Sequence, residues 1–430
     1  LFTDSATIEA VFEPTNHIAV PERISADTIL VVQDYPYYIV GELIIDSNAT
    51  LTIDADNTFL MHQDANIVVR GGLVISGEDE KPVKFRANEF TGSTKWGAIS
   101  FENSTRTNYM GHVILEEASH GVHEGQIAAI NVDSSTLTIE FSVIDNVYEQ
   151  PVFAKFSHVE IRNSTLRTSI TSDIINYKYG TGIVEECLLI GNNEPNTDGV
   201  DYDGVVGGII RNNIIRDFSG FNSDGIDIGE SSKDVLIESN RIYNCSDKGV
   251  SVGQGSTATV VKNVIAHCNQ GVGVKDRKSK VSIDRTIFYK NSIGVASFEK
   301  NVGAGGGKAK VFDCVFSQSL ISSIYKDKQS KLKVAYSISD MDILKGMGNT
   351  YEDPRFLNPD TGNFSVLAGS PCINVDADFA VAALLQTRTY GARMISKGIL
   401  SDRVTWLSVL GIFAYVVATG LAVKRKVPKP

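Results

Sequence analysis

The chain has 430 residues, 42% of them hydrophobic, and a formal net charge of −11 at pH 7. This length and apolar content allow a large buried core and argue against a disordered chain. The acidic balance, with no basic stripe visible along the body of the sequence, argues against a nucleic-acid binder that works by neutralising phosphates.

The N-terminal part divides into an irregular segment and a series of strand-like phrases. Residues 1–40 contain short β-branched runs interrupted by prolines, and we expect this segment to form a cap or entry. From residue 41 the phrases Thr-Leu-Thr-Ile (residues 50–53), Gly-Gly-Leu (71–73) and Pro-Val-Lys-Phe (82–85) follow in order. This order resembles the opening of secreted bacterial β-helix repeat proteins of the pectate-lyase-like superfamily. The resemblance implies a fold and carries no activity.

A repeated four-residue phrase organises residues 196–298. Its second position is always glycine, and steps of 26, 24, 22 and 23 residues separate Gly199, Gly225, Gly249, Gly271 and Gly294. A second register recurs at nearly the same step at Asn213, Asn240, Asn263 and Thr286. Short β-branched runs at this period are typical of a solenoid built from coils of strands. We therefore predict a right-handed parallel β-helix over residues 41–347, with equivalent positions on successive coils about 4.8 Å apart.

The repeat predicts two neighbouring columns of polar side chains. The first column contains Asp173, Asp198, Asp224, Lys248 and Gln270, and the second contains Asn176, Asp201, Asp227 and Ser251. Carboxylates this close repel one another unless a cation, a lysine or a raised pKa relieves them, and Lys248 is the expected relief.

Three interpretations of these columns stay open. Clustered carboxylates suit a Ca²⁺ ion, with Asp201 and Asp227 as the expected ligands. Paired carboxyls also suit glycoside hydrolysis, which needs one protonated and one ionised group. Alternatively, short polar side chains at turns only satisfy nearby backbone groups.

The central coils also resemble the ordered motifs of polygalacturonase-type glycoside hydrolases. Residues 196–199 are Asn-Thr-Asp-Gly, and later coils carry counterparts of three further motifs. The family's Asp-Asp pair is Ser223-Asp224 here, its histidine is Lys248, and its arginine is Gly273, so the general acid of that mechanism is missing. The same coils resemble β-helix segments attached to spore-coat-type (CotH) kinase proteins, for which the resemblance implies no chemistry.

Uronate chemistry offers a further set of roles for the columns. A lyase or C5-epimerase needs a base beside the uronate carboxylate and a cation or basic residue to neutralise that carboxylate. If the protein is an enzyme, we expect Asp198, Asp224, Asp227, Lys248 and Lys275 to carry catalysis.

The C-terminal part predicts a cap, a connector and a membrane anchor. Residues 348–376, with Asp-Pro-Arg-Phe at 353–356, resemble the ending that follows the last coil in secreted bacterial β-helix proteins. Residues 377–403 connect this cap to residues 404–423, an uncharged and mostly apolar stretch of the length that crosses a bilayer.

The residues around the apolar stretch predict its orientation and a packing face. The basic tail, residues 424–430, predicts a cytoplasmic C terminus, so we expect the large N-terminal part to lie outside the plasma membrane, after a secretory signal. Small residues that let another membrane helix approach are Gly411, Ala414, Ala418 and Ala422.

Two of the five cysteines, Cys245 and Cys268, each follow a ladder asparagine by five residues and so lie on adjacent coils. They either form a disulfide in an oxidising compartment or stack as small apolar side chains.

Together these features predict a membrane-anchored binding or scaffold subunit of a cell-envelope assembly. We expect its lateral face to contact surface polysaccharide and its C-terminal helix to contact other membrane proteins. The alternative is a lyase, epimerase or hydrolase that acts on uronate-containing polysaccharide.

Overall fold

The computed structural model describes residues 17–168 and 172–372. Within these residues the chain forms 43 strands, two short 3₁₀ turns and no α-helix. No helix of the described chain is long and apolar enough to cross a bilayer. The predicted membrane helix at 404–423, its connector, its basic tail and its packing residues all lie outside the described residues.

Short strands follow one another along the whole described chain. The strands before the gap at residues 169–171 are β1 (Ile18–Ala19), β2 (Arg23–Ile24), β3 (Thr28–Leu30), β4 (Tyr37–Ile39), β5 (Glu42–Ile45), β6 (Thr50–Asp54), β7 (Thr58–Met61), β8 (Asn66–Val69), β9 (Gly72–Ser76), β10 (Val83–Ala87), β11 (Ile99–Glu102), β12 (Asn108–Gly111), β13 (Val113–Glu116), β14 (Ala128–Asp133), β15 (Thr136–Glu140), β16 (Val143–Val147), β17 (Gln150–Lys155), β18 (His158–Arg162) and β19 (Thr165–Thr168). The strands after the gap are β20 (Ile175–Lys178), β21 (Thr181–Glu185), β22 (Leu188–Ile190), β23 (Val200–Asp203), β24 (Ile209–Arg211), β25 (Ile214–Arg216), β26 (Ile226–Gly229), β27 (Val235–Glu238), β28 (Arg241–Tyr243), β29 (Lys248–Val252), β30 (Thr257–Val261), β31 (Val264–Ala266), β32 (Gln270–Lys275), β33 (Lys280–Asp284), β34 (Ile287–Tyr289), β35 (Ile293–Phe298), β36 (Lys308–Phe312), β37 (Val315–Ser317), β38 (Ser322–Lys326), β39 (Lys331–Ala335), β40 (Ile338–Ser339), β41 (Thr350–Tyr351), β42 (Phe356–Asn358) and β43 (Asn363–Val366). The 3₁₀ turns are Glu89–Thr91 and Pro359–Thr361.

Three parallel sheets contain all of these strands except the last two. Sheets 2 and 3 start at β2 and β3, take every third strand and have 13 strands each. Sheet 1 starts at β1, takes every third strand up to β40 and then adds β41, which gives 15 strands. One coil therefore consists of a strand from sheet 2, a strand from sheet 3 and a strand from sheet 1. The structure confirms the predicted solenoid of parallel strands.

Side chains alternate along each strand between the interior and the surface, as the period of a strand requires. In β6, Leu51 and Ile53 are fully buried, whereas the threonines beside them are partly exposed. Parallel pairing in register stacks like residues in the interior. The rings of Tyr37, Phe59 and Phe85 lie one above another, with centroids 5.3 and 4.7 Å apart.

At the corner between sheets 3 and 1, successive coils turn through one residue in the left-handed backbone conformation. These residues have φ between 43° and 57°, although none is glycine: His112, Phe141, Asn163, Glu186, Asn212, Ser239, Lys262, Arg285, Asp313 and Tyr336. The next residue points inward. The Oδ1 atoms of Asn213, Asn240 and Asn263 each accept a hydrogen bond from a backbone N–H of the preceding coil, at 2.9, 3.0 and 2.8 Å. The second sequence register is thus a buried ladder that satisfies backbone groups at the corner.

The coils begin before residue 41, where we expected them to start. Ile18 pairs with Tyr37 in sheet 1, and Thr28 pairs with Leu51 in sheet 3. The segment from residue 18 to residue 40 therefore belongs to the solenoid, because its prolines at 21 and 36 fall between strands and leave the ladders intact.

The segment expected to cap the C-terminal end lies against the side of the solenoid instead. Strands β42 and β43 form an antiparallel hairpin on the outer face of sheet 1. The guanidinium of Arg241 donates to the carbonyl of Gly362 at 3.1 Å, and the hydroxyl of Tyr289 donates to Asp360 at 2.6 Å. The ring of Phe364 packs edge-on against Tyr289, so the hairpin spans several coils.

The cysteines resolve the two alternatives for Cys245 and Cys268. All five cysteines are buried free thiols. Burial, and then the neighbouring Cys268, raise the pKa of the Cys245 thiol well above its usual value. The pair therefore stacks inside the solenoid in the thiol form.

Candidate functional site

The two predicted columns lie side by side on the outer face of sheet 2. Parallel pairing of β20, β23, β26, β29 and β32 places Asn176, Asp201, Asp227, Ser251 and Gly273 in direct register. Because the flanking residues of each strand point into the apolar interior, these five positions all face outward. The second column therefore exists as predicted.

The first column is a ladder in which each carboxylate accepts a backbone N–H from the next coil. The N–H of Asp198 donates to Oδ1 of Asp173 at 3.1 Å, and the N–H of Asp224 donates to Oδ1 of Asp198 at 2.6 Å. The N–H of Lys248 continues the series to Oδ1 of Asp224 at 2.7 Å. Backbone satisfaction thus accounts for one oxygen of each of the three carboxyl groups.

The two columns meet in a tight group of carboxyl groups. Asp198, Asp224 and Asp227 each offer one oxygen within 4.8 Å of the others. The amide of Asn176 donates to Asp201 at 2.9 Å. We use the name acidic face for the set Asp173, Asn176, Asp198, Asp201, Asp224, Asp227, Lys248, Ser251 and Lys275.

Two buried lysines close one end of the acidic face. The ammonium of Lys248 lies 3.4 Å from Oδ1 of Asp224 and also contacts the carboxylate of Asp247. Lys275 reaches back across two coils and places its ammonium 3.6 Å from Oδ1 of Asp227. Lys248 therefore reduces the repulsion among the aspartates, as expected, and Lys275 reduces it further.

Glycines on the same surface make room for both lysines. A Cβ atom at Gly273 would lie 2.6 Å from Cδ of Lys248, and one at Gly253 would lie 3.0 Å from Cε of Lys275. The missing side chain at Gly273 lets Lys248 lie flat over the sheet and reach the carboxylates.

Burial and mutual repulsion shift the acid–base properties of the columns. Burial raises the pKa of Asp198 well above its usual value, and the charges of Asp224 and Asp173 raise it further. Burial and the charge of Asp173 do the same for Asp201. Burial raises the pKa of Asp224 to about 6, although Lys248 opposes the shift. These carboxyl groups therefore hold protons at a pH where an exposed aspartate has lost its own.

Several polar atoms of these columns are buried and have no hydrogen-bond partner within the described chain. They are Oδ1 of Asn176, Oγ of Ser251 and Oε1 of Gln270. Oδ1 of Asp227 also lacks a hydrogen bond, but the ammonium of Lys275 lies 3.6 Å from it. Buried polar atoms are normally paired, so this surface has hydrogen-bonding capacity that the protein does not use itself.

The arrangement bears on the expected Ca²⁺ ligands. Asp201 and Asp227 are register neighbours, as expected, but the group of three oxygens consists of Asp198, Asp224 and Asp227. A divalent cation there would gain three hard oxygen ligands. It would also compete with the ammonium of Lys275 for Asp227.

A third column beside the acidic face was missed from the sequence. Asp203 lies two residues beyond Asp201 on β23, and its carboxylate is 3.1 Å from the ammonium of Lys178. Burial raises the pKa of Asp203, and the hydrogen bond from Lys178 opposes this. The signal was present in the two-residue spacing, which puts both aspartates on one face of a strand.

Comparison with known protein families supports the fold. A family model described as a right handed beta helix region matches residues 194–335. Among solved structures, the periplasmic alginate epimerase AlgG is 10% identical over 75% of this chain and 78% of that chain, with a TM-score of 0.42. An alginate lyase from Paenibacillus sp. str. FPU-7 is 12% identical over 70% and 88%, with a TM-score of 0.36. Dettilon tailspike protein is 14% identical over 71% and 63%, with a TM-score of 0.35. No curated protein matches the sequence.

Proposed function

We propose that this right-handed parallel β-helix, of the pectate-lyase-like kind, binds a carbohydrate polymer through its acidic face. The observation that carries the proposal is the set of outward carboxyl, amide and hydroxyl groups stacked in register, with several atoms left unpaired. Sugar hydroxyls both donate and accept hydrogen bonds, so they complement this mixture. The repeat of about 4.8 Å from coil to coil extends the surface along the axis, as an extended polymer requires.

The energetics of the acidic face favour a binding role over a purely structural one. Asp173 and Asp198 of the first column lose solvent and each faces an aspartate on the next coil, and Asp201 of the second column is buried beside Asp173, which opposes folding. Perturbed carboxyl groups of this kind concentrate at functional sites. Satisfying the backbone takes only one oxygen of each carboxyl group in the first column.

Catalysis on a polysaccharide is the second candidate function, and the pKa of Asp224 favours it. A carboxyl group with a pKa of about 6 can donate a proton near neutrality, which the acid in sugar chemistry must do. Oxygens of Asp224 and Asp227 lie within 4.8 Å. Lys248 or Lys275 would neutralise a uronate carboxylate.

One binding experiment tests the first candidate. Full-length protein in mild detergent is titrated with alginate, polygalacturonate and a neutral glucan, and the Asp201→Asn/Asp227→Asn variant is compared with Glu238→Gln. Glu238 lies on sheet 3 in the same coil as Asp227, so it controls for the loss of a carboxylate at that level of the solenoid. We expect the double variant to lose binding and the control to keep it. Unchanged binding by the double variant would place the carbohydrate site elsewhere.

The same mixtures test catalysis. New reducing ends indicate hydrolysis, new absorbance from unsaturated ends indicates a lyase, and altered sugar proton resonances indicate epimerisation. Catalysis by the acidic face predicts that Asp224→Asn abolishes the product while binding persists. Binding without any product would leave the protein a carbohydrate-binding subunit.

We also propose that residues 404–423 anchor the protein with its β-helix outside the plasma membrane, where it joins other membrane proteins. Support comes from the apolar length, the basic tail and the small residues of the span. We expect the Ala414→Leu/Ala418→Leu variant to weaken a complex extracted in mild detergent. An unchanged complex would contradict the packing face.

A further inference from the structure

A group of exposed lysines lies on the outer face of sheet 3, near the C-terminal end of the solenoid. Lys280 is on β33, Lys308 and Lys310 are on β36, and Lys331 and Lys333 are on β39. All five side chains are exposed, because they alternate with residues that point inward. We call these five residues the lysine array.

Strand register arranges the lysine array in two columns. Lys280, Lys308 and Lys331 are direct neighbours across three coils, and Lys310 pairs with Lys333 in the next column. Adjacent ammonium groups in one column start from backbones about 4.8 Å apart, and the two columns are about 6.7 Å apart along the strand. The array is therefore a regular grid of positive charge on a rigid surface.

No member of the lysine array forms an ion pair with a carboxylate of the described residues. The acidic residue on the same strands, Asp284, pairs with Arg285 instead, at 3.0 Å. Like charges at these spacings repel one another, so the array lacks the compensation that charged residues receive elsewhere on this sheet.

The array corrects one expectation from the sequence. The sequence shows no basic stripe, because 28 and 23 residues separate Lys280, Lys308 and Lys331 along the chain. The folded protein nevertheless has one. The coils bring these dispersed positions into one column.

Two exposed aromatic rings border the array. Phe312 lies two residues beyond Lys310 on β36 and is 49% exposed, and Tyr336, just after β39, is 44% exposed. Their rings pack edge to face with centroids 5.1 Å apart. An apolar ring surface beside ammonium groups fits a ligand that has both an apolar face and a negative charge, as an acidic sugar ring does.

We propose that the lysine array binds a linear acidic glycan aligned with the solenoid axis. Negative groups on successive sugars would meet the two lysine columns, while a sugar ring would pack on Phe312 and Tyr336. Each exposed ion pair is weak, so affinity depends on several acting together and on low salt. This surface lies on sheet 3, and the inference does not rest on the acidic face of sheet 2.

Binding of full-length protein in mild detergent to immobilised heparin, across a range of salt concentrations, tests the proposal. The Lys308→Gln/Lys310→Gln/Lys331→Gln/Lys333→Gln variant is compared with Lys81→Gln/Lys95→Gln, which removes exposed lysines from other parts of the solenoid. We expect the array variant to lose affinity by about tenfold or more and to show a shallower salt dependence. The control should change affinity by less than about twofold.

Three outcomes would overturn the proposal. The first is that the array variant keeps its full affinity for the glycan. The second is that single-stranded DNA competes for the site as well as the glycan does. The third is that the variant loses binding only to vesicles of anionic lipid. A Phe312→Ala variant that binds as well as the native protein would remove the ring contact from the proposal. The Asp201→Asn/Asp227→Asn variant should keep its affinity for heparin, so failure of the acidic face and failure of the array are distinguishable.

Discussion

In the central coils, sheets 2 and 3 stack charged side chains in the same geometry but with opposite patterns of sign. On sheet 3, Glu140, Arg162, Glu185, Arg211 and Glu238 are successive register neighbours, so the charges alternate. The guanidinium of Arg162 lies 3.6 and 3.5 Å from the carboxylates before and after it, and that of Arg211 lies 2.6 Å from Glu185. On sheet 2, aspartates follow aspartates.

Because the strands pair in register, the pattern of charge that the sequence supplies recurs from coil to coil. Its favourable or unfavourable electrostatic effect therefore adds up along the solenoid. Alternation gives every coil a favourable neighbour, and Glu185 raises the pKa of Arg211 by a hydrogen bond. Repetition gives every coil an unfavourable neighbour, and the pKa of Asp198 rises through burial and the charges beside it. The alternating charges stabilise the solenoid, whereas the repeated aspartates need bound protons, lysines or a ligand to reduce their repulsion.

The largest expected effect comes from removing the lysine that relieves the aspartates. In Lys248→Ala, Asp224 and Asp247 lose a buried ammonium, and we expect the free energy of unfolding at pH 7 to fall by about 4 kcal/mol. Urea denaturation measures it. Adding Asp224→Asn should restore part of the loss, because the buried charge is then gone. A loss below about 0.5 kcal/mol would mean that solvent, and not Lys248, relieves the column.

A smaller effect is expected from pH. The pKa of Asp224 is about 6 in the folded protein and 3.8 when unperturbed, so the folded state binds this proton more tightly. Its contribution to stability is therefore present below pH 3.8 and is lost as pH rises through about 6. The total is up to about 3 kcal/mol, from about 1.4 kcal/mol for each pKa unit.

The difference in unfolding free energy between the native protein and Asp224→Asn isolates this proton, because the asparagine does not titrate. We expect the free energy of unfolding of the native protein to fall, relative to that of Asp224→Asn, as the pH rises from about 4 to about 7. A flat difference for Asp224→Asn would mean that its carboxyl group is already ionised at the acidic end of this range.

The smallest expected effect comes from giving sheet 3 the pattern of sheet 2. Arg162→Glu places three glutamates in succession, with Glu140 and Glu185 on either side. Because these side chains are partly exposed, we expect a loss of about 2 kcal/mol at low salt and less at high salt. Arg162→Gln should cost less than the charge reversal. Equal losses would show that packing of the long side chain matters more than its charge.

The sequence was sufficient to predict both columns of sheet 2, because the period places Asp201 and Asp227 at equivalent positions. The same period predicted that Lys248 would lie against Asp224. It could not predict that the strands between residues 18 and 40 belong to the solenoid, because strands of two and three residues are too short to show a periodic pattern. Nor could it predict that Asp360 meets Tyr289, 71 residues earlier, since that contact depends on tertiary packing.

The lysine array shows another reason why sequence prediction fell short. Lys280 lies on β33 and Lys308 on the equivalent strand of the next coil, but a glycine-rich segment lengthens the step between them. A search at the central period of 22 to 26 residues misses this pair. Insertions between coils change the step along the chain and leave the register of the sheet intact.

The hairpin on sheet 1 determines how a pulling force on the chain beyond Cys372 would enter the solenoid. Without it, tension would reach the last coil first and peel the coils off one at a time, since each contacts only its neighbours. The hairpin instead ties to Arg241 on β28 and Tyr289 on β34, so tension is shared among coils several steps from the end. Those contacts would be loaded in shear along the axis, and the solenoid would resist unravelling until the hairpin detaches.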